Sequence, residues 1–121
     1  MIEMMNLGDR IIACRVDGKI ERDDLTRLSD ELERKAAGGA RLRVYAEIGE
    51  LSFLNLIGLS QDLKAWADRK HLVDQLDKAA VVSDSALVKQ GMQYTNKLPA
   101  SVELRLFSTA ERDQARQWIE A

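Results

Sequence analysis

Residues 42–63, LRVYAEIGELSFLNLIGLSQDL, carry the pattern that decides the fold. Leu42, Val44, Ala46 and Ile48 alternate with charged or aromatic residues, which is typical of a β-strand with one apolar face. A glycine follows at once, and further along the apolar residues recur at helical spacing. The segment therefore predicts a strand, a loop and the start of a helix, which is the repeating unit of an α/β fold.

Four more strands are predicted elsewhere. A short strand lies near 2–5. Two uniformly apolar runs, 10–16 and 79–82, are typical of strands covered on both faces. Residues 102–106 alternate between apolar and charged side chains, which suits the edge of a sheet. On this reasoning the two uniformly apolar strands should be neighbours inside the sheet, with the alternating strands outside them.

Four helices are predicted between and after these strands. The first has leucines at helical spacing and is capped by Asp23 or Asp24. The second covers about 56–70, the third begins after Ser83 or Asp84, and the fourth follows a capping box at 108–111. The order β-β-α-β-α-β-α-β-α predicts a mostly parallel sheet in a single domain over residues 1–121. The loops at the carboxyl ends of the strands are then the expected functional edge.

Composition excludes several classes of function. The 121 residues carry a net charge of -2, which offers no overall attraction to nucleic acid. The single cysteine, Cys14, rules out an internal disulfide and lies in an apolar run, so a buried structural thiol is expected. We find no secretory signal pattern and no apolar run of about 20 residues that could span a bilayer. A cytoplasmic location is expected.

Catalytic and metal-binding patterns are also missing from the sequence. It contains no phosphate-binding glycine loop and no nucleophile elbow. His71, the one histidine, falls at the end of the second predicted helix, and one histidine with one cysteine is too few for a zinc site. We therefore expect neither an enzyme nor a cofactor. A hydrolase or isomerase with Glu47, Glu50 or Asp84 as its base is the least favoured alternative.

Three stretches resemble the SpoIIAA-like family, small bacterial proteins with a STAS-type α/β fold. They are IIACRVDGKIERDDL at 11–25, VYAEIGEL at 44–51 and AERDQARQWI at 110–119. Together with the order of elements, the resemblance covers nearly the whole chain. It implies a STAS-like fold and relates the chain to anti-sigma-factor antagonists. Because the family also resembles CRAL-TRIO lipid-binding folds, it further implies membrane association or apolar-ligand binding as a candidate function.

The resemblance draws attention to a changed switch. In anti-sigma-factor antagonists this segment carries Asp-Ser-Ser-Gly-Leu, and a serine at the helix start is phosphorylated. Here the same register reads NLIGL at 55–59, so Leu56 and Ile57 stand at the serine positions. Ser52 and Ser60 do not occupy the matching place. The resemblance therefore implies a switch-domain scaffold without the hydroxyl group that operates the switch.

The loop before the second helix is unusually apolar. Loops normally lie on the surface and are polar, so the cluster either turns inward to cap the core or forms a contact surface. In the second case, residues from the second and third helices would extend the surface or form an opposing wall. The candidate ligand-binding residues are Phe53, Leu54, Leu56, Ile57, Leu59, Trp66, Met92 and Tyr94.

A polar pocket is the other candidate site. Glu47 and Glu50 flank the carboxyl end of one strand, and Ser83, Asp84 and Ser85 follow another. Helix N-termini at this edge would favour a small polar ligand. Helix capping alone also explains Ser83 and Asp84.

Two functions remain open on the sequence alone. The first is a binding or regulatory module that engages an apolar small molecule, a lipid or a membrane surface through residues 53–59 and the following helix. The second is a partner-switching regulator that docks a kinase-like or sigma-related protein without phosphorylation. A homodimer is left open.

Overall fold

In the part of the computed structural model that is described, five strands form one sheet and three helices accompany it. The described residues are 1–18, 20–39, 41–49, 74–92 and 102–121, without the side chains of 91 and 92. The strands are β1 (Ile2–Met5), β2 (Ile11–Val16), β3 (Leu42–Ile48), β4 (Leu76–Val82) and β5 (Glu103–Phe107). The helices are α1 (Arg22–Ala36), α2 (Ala86–Met92) and α3 (Arg112–Glu120), the last preceded by a 3-10 turn at Thr109–Glu111.

The sheet confirms the predicted fold class. β1 pairs with β2 in the antiparallel sense, and β2 to β5 are parallel. The described elements follow the predicted order, while the helix predicted at 56–70 lies outside the described residues. None of the described helices is both long and apolar enough to cross a bilayer.

The prediction that the two uniformly apolar strands are adjacent in the sheet is wrong. The strand order is β1-β2-β3-β4-β5, so β3 lies between β2 and β4. Its Ala46 is opposite Cys14 on one side and opposite Val81 on the other. The alternating pattern of β3 predicts one polar face in solvent. Instead, the face that carries Tyr45 and Glu47 is buried, so charged side chains on a strand did not indicate an outer position.

Each face of the sheet has its own core. On one face, Leu28 and Ala36 of α1 cover side chains from β1, β2 and β3, with Leu25 and Leu32 packed alongside. This confirms the apolar stripe predicted for the first helix. On the other face, Ala115 and Ile119 of α3 cover Ile11, Ala13, Tyr45, Ala80 and Val82. Each large aliphatic side chain buried in this way contributes about 1.5–3 kcal/mol.

Helix α1 begins before Asp23 and Asp24, the residues predicted to cap it. Glu21 is the N-cap, and its backbone N–H donates to the Asp24 carboxylate at 3.0 Å. Asp24 thus occupies the third helical position and also accepts from Arg27 at 2.6 Å. A carboxylate in the first turn stabilises a helix because it interacts with the unpaired N–H groups there.

Both ends of α3 are fixed. Ser108 donates its backbone N–H to Glu111 Oε1 at 2.9 Å, which confirms the predicted capping box. At the other end, Arg43 of β3 donates to the Ile119 carbonyl oxygen at 2.8 Å, and Lys78 of β4 to that of Trp118 at 3.4 Å. Cations at a helix C-terminus satisfy carbonyl groups that have no partner within the helix. Helix α3 is therefore attached to the sheet by polar as well as apolar contacts.

Candidate functional site

A cleft of about 100 Å³ opens at the carboxyl ends of β2, β3 and β4. This is the edge at which parallel α/β sheets usually bind ligands. The cleft is lined by the ends of these strands, by the turns that follow β2 and β3, and by the start of α3. The lining residues are Arg15, Val16, Asp17, Glu47, Ile48, Gly49, Val82, Thr109 and Arg112.

Glu47 is the buried charge at the centre of this region. Its side chain is only 5% exposed, yet three guanidinium groups surround the carboxylate. Arg112 Nε lies 2.5 Å from Oε1, while Arg15 and Arg116 approach Oε2 at 3.6 and 3.8 Å. Burial of a carboxylate is costly unless it is paired, and here the compensation comes from two different elements, β2 and α3.

The contacts to Glu47 are ionic rather than well-formed hydrogen bonds. Both carboxylate oxygens, the Tyr45 hydroxyl and Arg116 Nε are buried without a hydrogen-bond partner of good geometry. The Arg116 guanidinium lies 5.9 Å from the Tyr45 ring centre, and burial raises the pKa of the Tyr45 phenol, which favours its neutral form. The cluster is therefore held mainly by Coulomb attraction between partly exposed guanidinium groups and one buried carboxylate.

The arginines reach the surface although the group that holds them is buried. The side chains of Arg15 and Arg112 are 47% and 44% exposed. An exposed arginine normally has many rotamers, and an ion pair with a buried carboxylate restricts them. The cleft thus presents two guanidinium groups that are ion-paired with one buried carboxylate.

The turn after β3 brings another carboxylate to the cleft. Gly49 donates its N–H to the Val16 carbonyl oxygen at 2.8 Å, which joins the ends of β3 and β2. A Cβ atom at position 49 would lie 2.8 Å from a carboxylate oxygen of Asp17. Glycine therefore allows the Asp17 side chain to approach the end of β3.

Asp84 joins the end of β4 to the start of α3. Its carboxylate accepts the Thr109 N–H at 3.0 Å and also the Thr109 hydroxyl. These hydrogen bonds lower the pKa of Asp84. A general base that operates near neutral pH has a raised carboxyl pKa, so Asp84 is shifted in the direction opposite to that required for this role.

A family model described as SpoIIAA-like matches residues 11–120. The chain belongs to the SpoIIAA-like family. This confirms the resemblance stated from the three sequence stretches and agrees with the mixed α/β sheet. Membership suggests a regulatory module of the anti-sigma-factor antagonist type. Comparison with curated proteins and with solved structures gave no significant match.

The predicted polar pocket of this SpoIIAA-like protein stays a prediction, and the structure places four of its five members. Glu47 lines the cleft, and Asp84 lies at its rim through Thr109. Ser83 and Ser85 are buried in the turn before α2, where Ser83 Oγ accepts the Ser85 N–H at 3.1 Å. Of the two residues expected to cap this helix, Ser83 or Asp84, Asp84 directs its carboxylate to Thr109 in the turn before α3. The remaining member, Glu50, lies outside the described residues.

The predicted apolar site of the SpoIIAA-like protein stays a prediction. Met92 ends α2, and its side chain lies outside the described residues. The other members also fall outside them, namely Phe53, Leu54, Leu56, Ile57, Leu59, Trp66 and Tyr94. His71 lies outside as well.

Sequence reasoning missed the arginines of the cleft. Arg15 interrupts an apolar strand, and Arg112 and Arg116 are four residues apart and so share one face of α3. The charge of Arg15 inside an apolar strand and the arginine pair on a predicted amphipathic helix were visible in the sequence. The sequence did not show that these arginines meet at the buried carboxylate of Glu47.

Cys14 has the structural role expected from the sequence. The side chain lies in the core beneath α1, and burial raises its pKa to about 11. The thiol therefore stays protonated and poorly nucleophilic at neutral pH. Among the residues that the structure describes, no three side chains of His, Cys, Asp or Glu group as metal ligands.

Proposed function

We propose that this SpoIIAA-like protein is a non-catalytic regulatory module that docks a protein partner at the carboxyl end of its sheet. Partner switching through protein contacts is typical of SpoIIAA-like domains, which supports a protein partner over other ligands. The contact surface would be the cleft with Arg15 and Arg112 at its rim.

The observation that carries the proposal is the pair of half-exposed arginines that form ion pairs with buried Glu47. Arginine is enriched among the residues that dominate binding energy at protein interfaces. A side chain already held in position loses less conformational entropy when a partner binds. Backbone carbonyl groups or carboxylates of the partner are the groups that these guanidinium groups would bind.

The altered switch positions follow the cleft in the sequence. Gly49 lines the cleft, and Leu56 and Ile57 come seven and eight residues later along the chain. Since neither switch position carries a hydroxyl group, we expect docking to be independent of phosphorylation there.

Affinity capture with matched arginine variants tests the proposal. We expect the wild-type protein to retain a specific protein from its own cells, and Arg15→Ala and Arg112→Ala each to reduce that protein at least tenfold. Arg34→Ala is the control, because Arg34 is an exposed arginine paired with Glu31 on α1, away from the cleft. Circular dichroism establishes that each variant is folded. Equal capture by all four proteins would show that the cleft is not the docking surface.

A second candidate function rests on the apolar segment 53–59. Five large apolar residues in seven positions suit contact with an apolar ligand or a lipid surface, since each such side chain left in water forgoes about 1.5–3 kcal/mol. Native mass spectrometry of protein purified from cells would report a bound lipid. Flotation with phosphatidylcholine vesicles, with and without anionic lipid, would report membrane binding. Loss of either signal in Ile57→Asp, with retention in Arg15→Ala, would favour this function over partner docking.

A further inference from the structure

Among the described residues, the strand at one lateral edge of the sheet has a neighbour on one side only. In the part of the chain that the structure describes, β5 pairs only with β4. Its register with β4 is regular, and its sequence, ELRLF, has neither lysine nor proline. Natural edge strands are usually protected by charged side chains, proline or a bulge, and the two charges on β5, Glu103 and Arg105, are of opposite sign and can pair with each other. At the opposite edge, β1 is approached by Arg27, which donates to the Ile2 carbonyl oxygen at 3.1 Å.

The direction of the backbone groups on β5 follows from its pairing. Ser83 donates its N–H to the Phe107 carbonyl oxygen at 2.9 Å, so the polar groups of Phe107 point toward β4. Because the N–H and C=O of one residue point to the same side of a strand and alternate along it, Leu104 and Leu106 point theirs outward. These outward groups are the ones that another strand would bind.

The side chains of β5 separate into a charged and an apolar set. Glu103 and Arg105 lie on one face, and their side chains are 55% and 54% exposed. Leu104 and Leu106 lie on the other face, and Leu106 is one of two large apolar residues exposed in the described part of the chain, at 36%. Strand β5 therefore presents one charged face and one partly exposed apolar face, which together suit pairing with another strand.

We propose that β5 is the dimerisation strand and pairs in the antiparallel sense with β5 of a second copy of this chain, with Leu104 opposite Leu104. In that register Glu103 is opposite Arg105 of the second copy, and Arg105 is opposite Glu103. Val102 is opposite Leu106 on the apolar face. The two sheets become one sheet of ten strands, related by a two-fold axis, which is the commonest symmetry of homodimers.

Charge and hydrogen bonding select the same register. With Leu104 at the centre, Val102, Leu104 and Leu106 make the backbone hydrogen bonds. Glu103 and Arg105 then fall at the positions without hydrogen bonds, where opposite side chains are closest. Moving the centre to Glu103 or to Arg105 would place like charges directly opposite each other, which is destabilising.

The contacts that Glu103 and Arg105 already make are compatible with this pairing. Within one chain, Arg105 Nη2 lies 3.4 Å from Glu103 Oε1, an exposed ion pair that contributes little to stability. The Arg105 guanidinium also lies 5.0 Å from the centre of the Trp118 ring, which keeps it on this face of the sheet. Dimerisation exchanges one weak pair in each copy for two pairs between copies. The inference is independent of the proposed function, since the cleft lies at the carboxyl end of the sheet.

A charge-exchange series tests the dimer by sedimentation equilibrium over micromolar to millimolar protein. We expect a reversible monomer–dimer equilibrium for the wild type. Arg105→Glu and Glu103→Arg should each raise the dissociation constant on the order of tenfold or more, because both symmetric pairs become repulsive. The double variant, Glu103→Arg with Arg105→Glu, should restore dimerisation. Leu106→Lys, which places a charge at an exposed edge position, should also prevent it.

The matched control is the double exchange Glu31→Arg with Arg34→Glu, at an ion pair on α1. It should leave the dissociation constant unchanged, and circular dichroism checks that every variant is folded. A wild type that remains monomeric up to millimolar concentration overturns the proposal. So does a dimer that is insensitive to Arg105→Glu and Leu106→Lys, or a double variant that does not recover.

Discussion

Replacing Glu47 with glutamine is the sharpest test of the charge cluster. Glutamine keeps the size and shape of the side chain but removes the negative charge that Arg15, Arg112 and Arg116 surround at 2.5–3.8 Å. The variant leaves three positive charges close together without a counter-charge. We therefore expect Glu47→Gln to lower the free energy of unfolding.

The expected size of the loss follows from the burial of each group. Removing one member of a fully buried ion pair costs about 3–5 kcal/mol. Here the charges left behind are arginines with side chains 37–47% exposed, so water solvates part of their charge. We expect a loss of about 1.5–3 kcal/mol, which corresponds to about 3–6 °C in Tm for each kcal/mol in a chain of this size.

Urea unfolding followed by circular dichroism gives the measurement, and Glu31→Gln is the control. Glu31 also contacts two cations, Arg34 at 2.5 Å and Lys35 at 3.5 Å, but it is more exposed and lies on α1. Surface pairs of this kind contribute about 0–1 kcal/mol. In about 1 M salt the effect of Glu47→Gln should largely persist, because buried pairs are screened less than exposed ones. A loss no larger than that of Glu31→Gln would refute the reasoning.

Three further predictions concern single groups. Tyr45→Phe should change the free energy of unfolding by about 1 kcal/mol or less, because the buried Tyr45 hydroxyl contacts Arg116 and Glu47 without good hydrogen-bond geometry; a loss above about 2 kcal/mol in urea titration would contradict this. Cys14 should react very slowly with a disulfide reagent at pH 8 in the folded protein and rapidly in urea, since burial raises the pKa of its thiol to about 11; rapid reaction without urea would contradict its burial. Hydrogen bonds from Glu21 and Thr109 lower the pKa values of Asp24 and Asp84, respectively. These two carboxylates therefore stabilise the folded protein fully above the unfolded carboxyl pKa of about 4. Their contribution is lost as the pH falls through the lower pKa values of the folded state. The urea midpoint should accordingly fall between pH 5 and about pH 2, and it should fall less in Asp24→Asn; an equal fall in both proteins would exclude Asp24 as a contributor.

Local patterns were sufficient for the elements of the fold and not for their arrangement. Apolar periodicity located the five strands and the first helix, and the capping box at 108–111 correctly located the turn before α3. The rule that charged residues face solvent failed on β3. Its Arg43 and Glu47 are covered by α3, which is distant in sequence. A rule based on local sequence does not take such a contact into account.

The candidate site shows the same division. The sequence placed Glu47 at the carboxyl end of a strand, and the structure places it at the cleft. The role of the cleft in docking stays a proposal. Arg112 and Arg116 could be assigned to one face of a helix, but only the packing of α3 on β3 brings that face to Glu47. Pairing across elements depends on tertiary structure, which periodicity alone does not specify.

The attachment of α3 at both ends of β3 has a consequence for the lifetime of the folded protein. Arg43 and the Ile119 carbonyl group that it binds are 76 residues apart in sequence, so their contact closes a long loop. Contacts of this kind tend to form late in folding, and interactions that form after the transition state mainly slow unfolding. We therefore expect Glu47→Gln and Arg43→Ala to raise the unfolding rate in stopped-flow experiments while leaving the refolding rate nearly unchanged. The polar residues of β3 would then determine how long a molecule stays folded rather than how quickly it folds.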